Sequence, residues 1–150
     1  MRVALASPPL VGSIAGTLPW LERLIAEAAD GGAAIVCFPE TCIPGIRGQE
    51  FAIDAHDPAG LRAAREAVCG LAARHAIAVV LPMEWPDARG VLNLAWVISA
   101  AGEVLGCQTK NQVARPEKVF QMHGAEAHAP DRPALDGILR AAEEIAGDVG

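Results

Sequence analysis

The chain has 150 residues, the length of one domain, and a domain of this size buries roughly 70% of its unfolded surface. Hydrophobic residues make up 52%, charged residues 20%, and the net charge is −6. This balance is globular, and an acidic chain with no basic stripe excludes nucleic acid and anionic membrane surfaces as partners. The longest apolar runs, such as Ala76 to Met83, fall far short of the ~18 residues that span a bilayer.

Val3 to Ala6 is the first predicted strand, closed by Ser7-Pro8-Pro9. The prolines cut short a faint likeness to a secretion signal after Arg2, so a cytoplasmic chain is expected. A helix follows over Leu18 to Ala29, with Leu18, Leu21, Leu24, Ile25 and Ala28 on one face, Thr17 as its N-cap and Gly31 as its stop. The second strand is the apolar run Ala33 to Phe38, whose pairing ends at Pro39, a residue with no N–H to give a ladder. This β-α-β order implies parallel strands joined by a right-handed crossover. Glu40 then stands at the carboxyl end of a buried strand, the edge where open α/β sheets place their sites; the other reading is an ordinary solvated loop glutamate.

Thr41 to His56 is too long for a simple connector and is expected to form a wall of a site. Asp57-Pro58 reads as an N-cap followed by proline at the first helical position, opening a helix to His75 with Leu61, Val68, Leu71 and Ala72 inward. Ala76 to Leu81 is predicted as a third strand and Pro82 to Gly90 as a loop carrying Glu84, Trp85 and Asp87. Asn93 to Ser99 and Val104 to Lys110 are two strands joined by Ala100-Ala101-Gly102-Glu103, short enough for a hairpin, so the sheet is mixed. Residues 127–150 change character: a helix from about Asp131 carries Leu135, Ile138, Leu139, Ala142 and Ile145 at helical spacing.

Cys37, Cys42, Cys69 and Cys107 form no C-x-x-C pair, and free, mostly buried thiols in a reducing compartment are expected. His123 and His128 flank Glu126 without the H-E-x-x-H spacing of a helical zinc site, and no G-x-G-x-x-G follows a strand, so no metal or cofactor is expected. His75, at a helix end, is assigned to the helix dipole.

The ordered set of the first strand, Phe38-Pro39-Glu40, the hairpin strand Asn93-Leu94-Ala95-Trp96-Val97-Ile98, then Gly102, Val104, Gly106 and Lys110-Asn111-Gln112 resembles the nitrilase, or carbon-nitrogen hydrolase, superfamily. The resemblance covers residues 1–126 and implies an α/β fold, here a partial α-β-β-α sandwich with a mixed sheet and helices on one face. It also implies hydrolysis of a non-peptide amide, carbamoyl compound or nitrile by a thiol, a glutamate and a lysine, and self-association of a complete chain. By that likeness Glu40 resembles the general base and Lys110 the residue that stabilises the tetrahedral intermediate. Glu117, followed by Phe120 and Gly124, resembles a second, supporting glutamate. These residue types suit the chemistry: a carboxylate can take the thiol proton and later pass it to the leaving amine, and a fixed ammonium can hold the oxyanion.

The family's cysteine should follow on a later strand, yet no cysteine occurs after Cys107. Cys107 is three residues from Lys110, so on a regular strand their side chains point to opposite faces. Cys42, two residues past Glu40, occupies no family nucleophile position, although sequence spacing alone does not exclude it. Three readings follow. The chain is a fragment, truncated or shifted in frame near residue 125 and inactive alone; or a non-catalytic relative serving as a binding or assembly module, with the tail helix over the open sheet face; or a small Rossmann-like domain whose resemblance is chance.

Overall fold

A computed structural model describes residues 1–47, 52–88 and 90–110. Their elements are β1 (Val3–Leu5), α1 (Ile14–Asp30), β2 (Ile35–Cys37), α2 (Pro58–His75), β3 (Ala78–Asp87), β4 (Gly90–Ile98) and β5 (Val104–Thr109). They form one five-stranded sheet in the order β1-β2-β3-β4-β5. β1, β2 and β3 run parallel, and β3, β4 and β5 are antiparallel neighbours. The crossovers α1 and α2 join adjacent parallel strands, and the helices pack on each other and on β2 and β3, so both lie on the same face, as two crossovers of the usual right hand require. The mixed α/β sheet with helices on one face is as the sequence predicts.

The core lies between the helices and that face. Val36, Val79, Leu81, Met83 and Ile98 from the strands meet Leu21 and Ile25 of α1 and Leu61, Val68 and Ala72 of α2. The helix positions are the apolar stripes of period 3.6, and the strand positions alternate with period 2. Farther along this face Trp85 and Trp96 meet edge to face at 4.9 Å, and the Arg65 guanidinium of α2 lies 4.8 and 4.9 Å from their ring centres.

Several boundaries differ from the sequence reading. α1 starts four residues before Leu18, capped by Ser13, whose Oγ accepts from Gly16 N at 3.1 Å. Thr17 is instead a buried residue of the first turns, its hydroxyl donating to Ser13 O. Pro19 therefore sits inside the helix, where its missing N–H deserts the carbonyl of Ala15, and that residue is exposed to water. α2 keeps the predicted cap, with Asp57 Oδ1 accepting from Gly60 N at 2.9 Å, and Pro58 stands in its first turn.

The larger correction concerns β3. Pro82 to Asp87 is strand and not loop, pairing residue by residue with β4 from Pro82↔Ala95 to Asp87↔Gly90. Two prolines do not break it because each costs only one donor. Pro82 O accepts Cys42 N at 3.0 Å, so the missing N–H of Pro82 faces the same side, where β2 has already left the sheet.

The departure of β2 is what presents Glu40. Cys37 pairs with Val80, and the chain rejoins β3 at the bridge Ile43↔Met83, so six steps along the chain span three steps of β3. The surplus residues bulge out of the sheet between Phe38 and Cys42. Thr41 turns the corner with φ 46, buried despite that left-handed conformation, and Ile43-Pro44 is a cis peptide.

Candidate active site

Glu40 stands on that bulge with its side chain 46% exposed. Lys110 follows the last residue of β5 and extends its ladder, its N–H donating to Asn93 O at 2.8 Å. Asn93, on β4, is buried. The three side chains converge: Lys110 Nζ lies 2.5 Å from Glu40 Oε1, and Asn93 Nδ2 donates to the same oxygen at 2.7 Å. Among the described residues no hydrogen bond reaches Oε2. The fold thus brings two of the three predicted site residues together; Glu117 lies outside the described residues, as does the whole predicted tail. A small cavity of about 180 Å³ opens beside Glu40, walled by Ser7, Pro9, Cys42, Pro44 and Ile46.

The arrangement has defined chemical capacities. One carboxylate oxygen accepts from two donors, one of them cationic, while the other accepts no hydrogen bond from the described residues. The ammonium is a positive charge held at the edge of the sheet against that carboxylate.

One row of the sheet carries a second polar cluster, which the sequence reading placed in a loop. Glu84 is fully buried on β3, directly opposite Asn93. Arg47 grips it with two bonds, Nε to Oε1 at 2.8 Å and Nη2 to Oε2 at 3.0 Å, and Nη1 of the same guanidinium donates to Asp54 O. His56 Nδ1 lies 3.6 Å from Glu84 Oε2. A bidentate arginine satisfies a buried carboxylate as a single cation of point-like shape would not. The cluster ties the chain after Ile43 to the sheet, so the predicted wall is anchored at Glu84. A larger cavity of about 710 Å³, between α1, α2 and residues 54–57, ends on the same Arg47 and Glu84 and lies apart from Glu40. The legible signal for Glu84 was a glutamate between Met83 and Trp85 in an otherwise apolar stretch.

The carbon-nitrogen hydrolase family model matches residues 2–134. The chain belongs to the carbon-nitrogen hydrolase family. No curated protein matches it. Among solved structures, an amidase from Nesterenkonia sp. is 26% identical to this carbon-nitrogen hydrolase chain, with a TM-score of 0.68 over 83% of this chain and 48% of its own. A mutant of that amidase in complex with butyramide aligns at 25% identity and a TM-score of 0.69 over 83% and 48%. Another, showing the result of Michael addition of acrylamide at the active site cysteine, aligns at 25% and 0.69 over 83% and 50%. The chain spans about half the length of these amidases.

The chain's own cysteines are poorly suited to nucleophilic work. Cys42 is buried, its Sγ donates to Pro82 O at 3.0 Å, and burial pushes its thiol up to about 12. That geometry answers what spacing alone left open. Cys107 pairs opposite Trp96 on β5, so its side chain falls on the face away from Lys110. Burial likewise raises the thiols of Cys37, Cys69 and Cys107. Thiolates are the reactive form, and none of the four is favoured here. No group of three or more metal-ligating side chains occurs among the described residues, and no helix among them is long and apolar enough to cross a membrane.

Proposed function

We propose that this chain carries the base and the oxyanion-stabilising halves of an amidase-type centre acting on non-peptide amides, carbamoyl compounds or nitriles. The observation that carries the reading is the shared Oε1: Glu40 accepts from both Lys110 and Asn93 at 2.5 and 2.7 Å at the point where β2 leaves the sheet. In this reading Oε2 of Glu40 takes the proton of the attacking thiol and returns it to the leaving nitrogen, and Lys110 stabilises the oxyanion. Glu117 supports the pair. The cavity beside Glu40 holds the share of liquid volume of about six waters, in keeping with a small substrate. The neighbours caught with butyramide and acrylamide support a short aliphatic amide as the first probe.

No cysteine follows Cys107 in the sequence, and burial disfavours the thiolate of each described cysteine. In this reading the chain is inactive by itself and works in the cytoplasm. The same observation favours the second reading, a non-catalytic member of the family that binds or assembles. Two measurements test the proposal on the chain as it stands: ammonia release from butyramide, and saturable NMR shifts at Glu40 and Lys110 on adding butyramide. The proposal expects shifts without ammonia. Ammonia release abolished by Glu40→Gln would overturn the inactivity. No saturable shift would overturn the substrate class and leave the assembly module.

A further inference from the structure

Glu84, Asn93 and Lys110 occupy one row across β3, β4 and β5. Asn93 stands opposite Glu84 in the β3–β4 register, and Lys110 stands opposite Asn93 through its 2.8 Å backbone bond. Directly opposed residues on adjacent strands are close neighbours. The row thus holds an anion, a neutral amide and a cation, in that order.

The order has consequences for Glu40. Glu84 is consumed by the two bonds from Arg47, and Asn93 stands between it and Lys110, so the lysine ammonium turns to Glu40. The amide of Asn93 then donates to the very oxygen that the ammonium reaches. A carboxylate held by two donors on one oxygen cannot rotate freely about its last torsion, and its other oxygen accepts no hydrogen bond among the described residues. Asn93 is 4% exposed, so water does not compete for its amide as it would at the surface.

We propose that Asn93 is a positioning residue: by fixing Oε1 of Glu40 against Lys110, it selects Oε2 as the only proton-accepting oxygen and keeps Lys110 from the Glu84 carboxylate. The inference rests on reading Glu40 as the base and adds which of its atoms acts and what holds it. A buried polar residue with a purely structural role would stabilise the strand without controlling the orientation of the carboxylate.

The test is made on the whole isotope-labelled chain without substrate, so it can fail while the hydrolase reading stands, and that reading can fail on amide binding while this one stands. A scalar coupling across the hydrogen bond between Asn93 Nδ2 and Glu40 Cδ is expected, with the Asn93 amide protons exchanging at least about tenfold more slowly than those of a free asparagine. No coupling, with exchange at the free rate, overturns the proposal. In Asn93→Ala, and in the milder Asn93→Ser should alanine prevent folding, the Glu40 carboxyl carbon signal should move toward those of exposed glutamates such as Glu27 while the fold persists. An unmoved Glu40 signal in a folded variant also overturns it. If neither variant folds, the coupling in the unsubstituted chain decides alone.

Discussion

Arg47 and Glu84, thirty-seven positions apart, close a bidentate pair around a carboxylate with no solvent exposure. The guanidinium also holds Asp54 O, so one side chain fastens both ends of the segment that follows the Glu40 bulge. Removing the cation while leaving the anion buried is the costly direction. Arg47→Ala should destabilise the chain by about 3–5 kcal/mol in urea denaturation. Adding Glu84→Gln to that variant should recover part of the loss, because a neutral amide tolerates burial far better than an unpaired charge. Equal stability of the single and double variants would show that Glu84 is not what Arg47 satisfies.

The Glu40–Lys110 pair is expected to behave in the opposite way. Both side chains are partly exposed, 46% and 26%, and ion pairs open to water contribute about 0–1 kcal/mol. Lys110→Met should therefore shift the urea midpoint little while abolishing the butyramide-induced NMR shifts. A loss of stability as large as that of Arg47→Ala would mean that the pair serves the fold and not the site.

Cys42 gives a pH dependence. Its thiol is raised from 9.0 to about 12 in the folded chain by burial. The unfolded thiol ionises first as pH rises, so the unfolded state gains relative to the folded one. The contribution is fully present below about pH 9 and is lost progressively toward pH 12. Cys42→Ala should flatten the alkaline fall in stability across that window, measured by urea titration. Native Cys42 should also resist alkylation at pH 8 long after an unfolded control has reacted.

Gly102 closes the β4–β5 hairpin with φ +82, and a Cβ there would approach the Cys69 carbonyl of α2 at 2.5 Å. A turn with a positive φ and backbone overhead requires glycine twice over. Gly102→Ala should cost about 1–3 kcal/mol, read as a lowered thermal midpoint.

Much of this molecule was legible in its residues alone. Local chemistry sufficed for the β-α-β crossover, the Asp57-Pro58 start of α2, the hairpin at Ala100 to Glu103 and the mixed sheet, because each depends on neighbours within a few positions. The likeness carried by Phe38-Pro39-Glu40 and Lys110 placed the chain in its family. The strand character of Pro82 to Asp87 was hidden, since prolines read as breakers until the neighbouring strand shows which hydrogen bond is dispensable. The Ser13 cap was hidden because Thr17, a residue type that also caps, stands directly before the apolar stripe.

Sequence by itself determined the periodicities, the caps, the acidic surface and the absence of any cysteine after Cys107. Only the tertiary structure decided that Asn93 and Lys110 share one oxygen of Glu40, that Arg47 satisfies Glu84, and that the Cys42 thiol donates to Pro82 O. Those facts join residues that are 17 to 70 positions apart. Such contacts depend on strand register and on the three-residue surplus after β2, quantities that no local preference encodes.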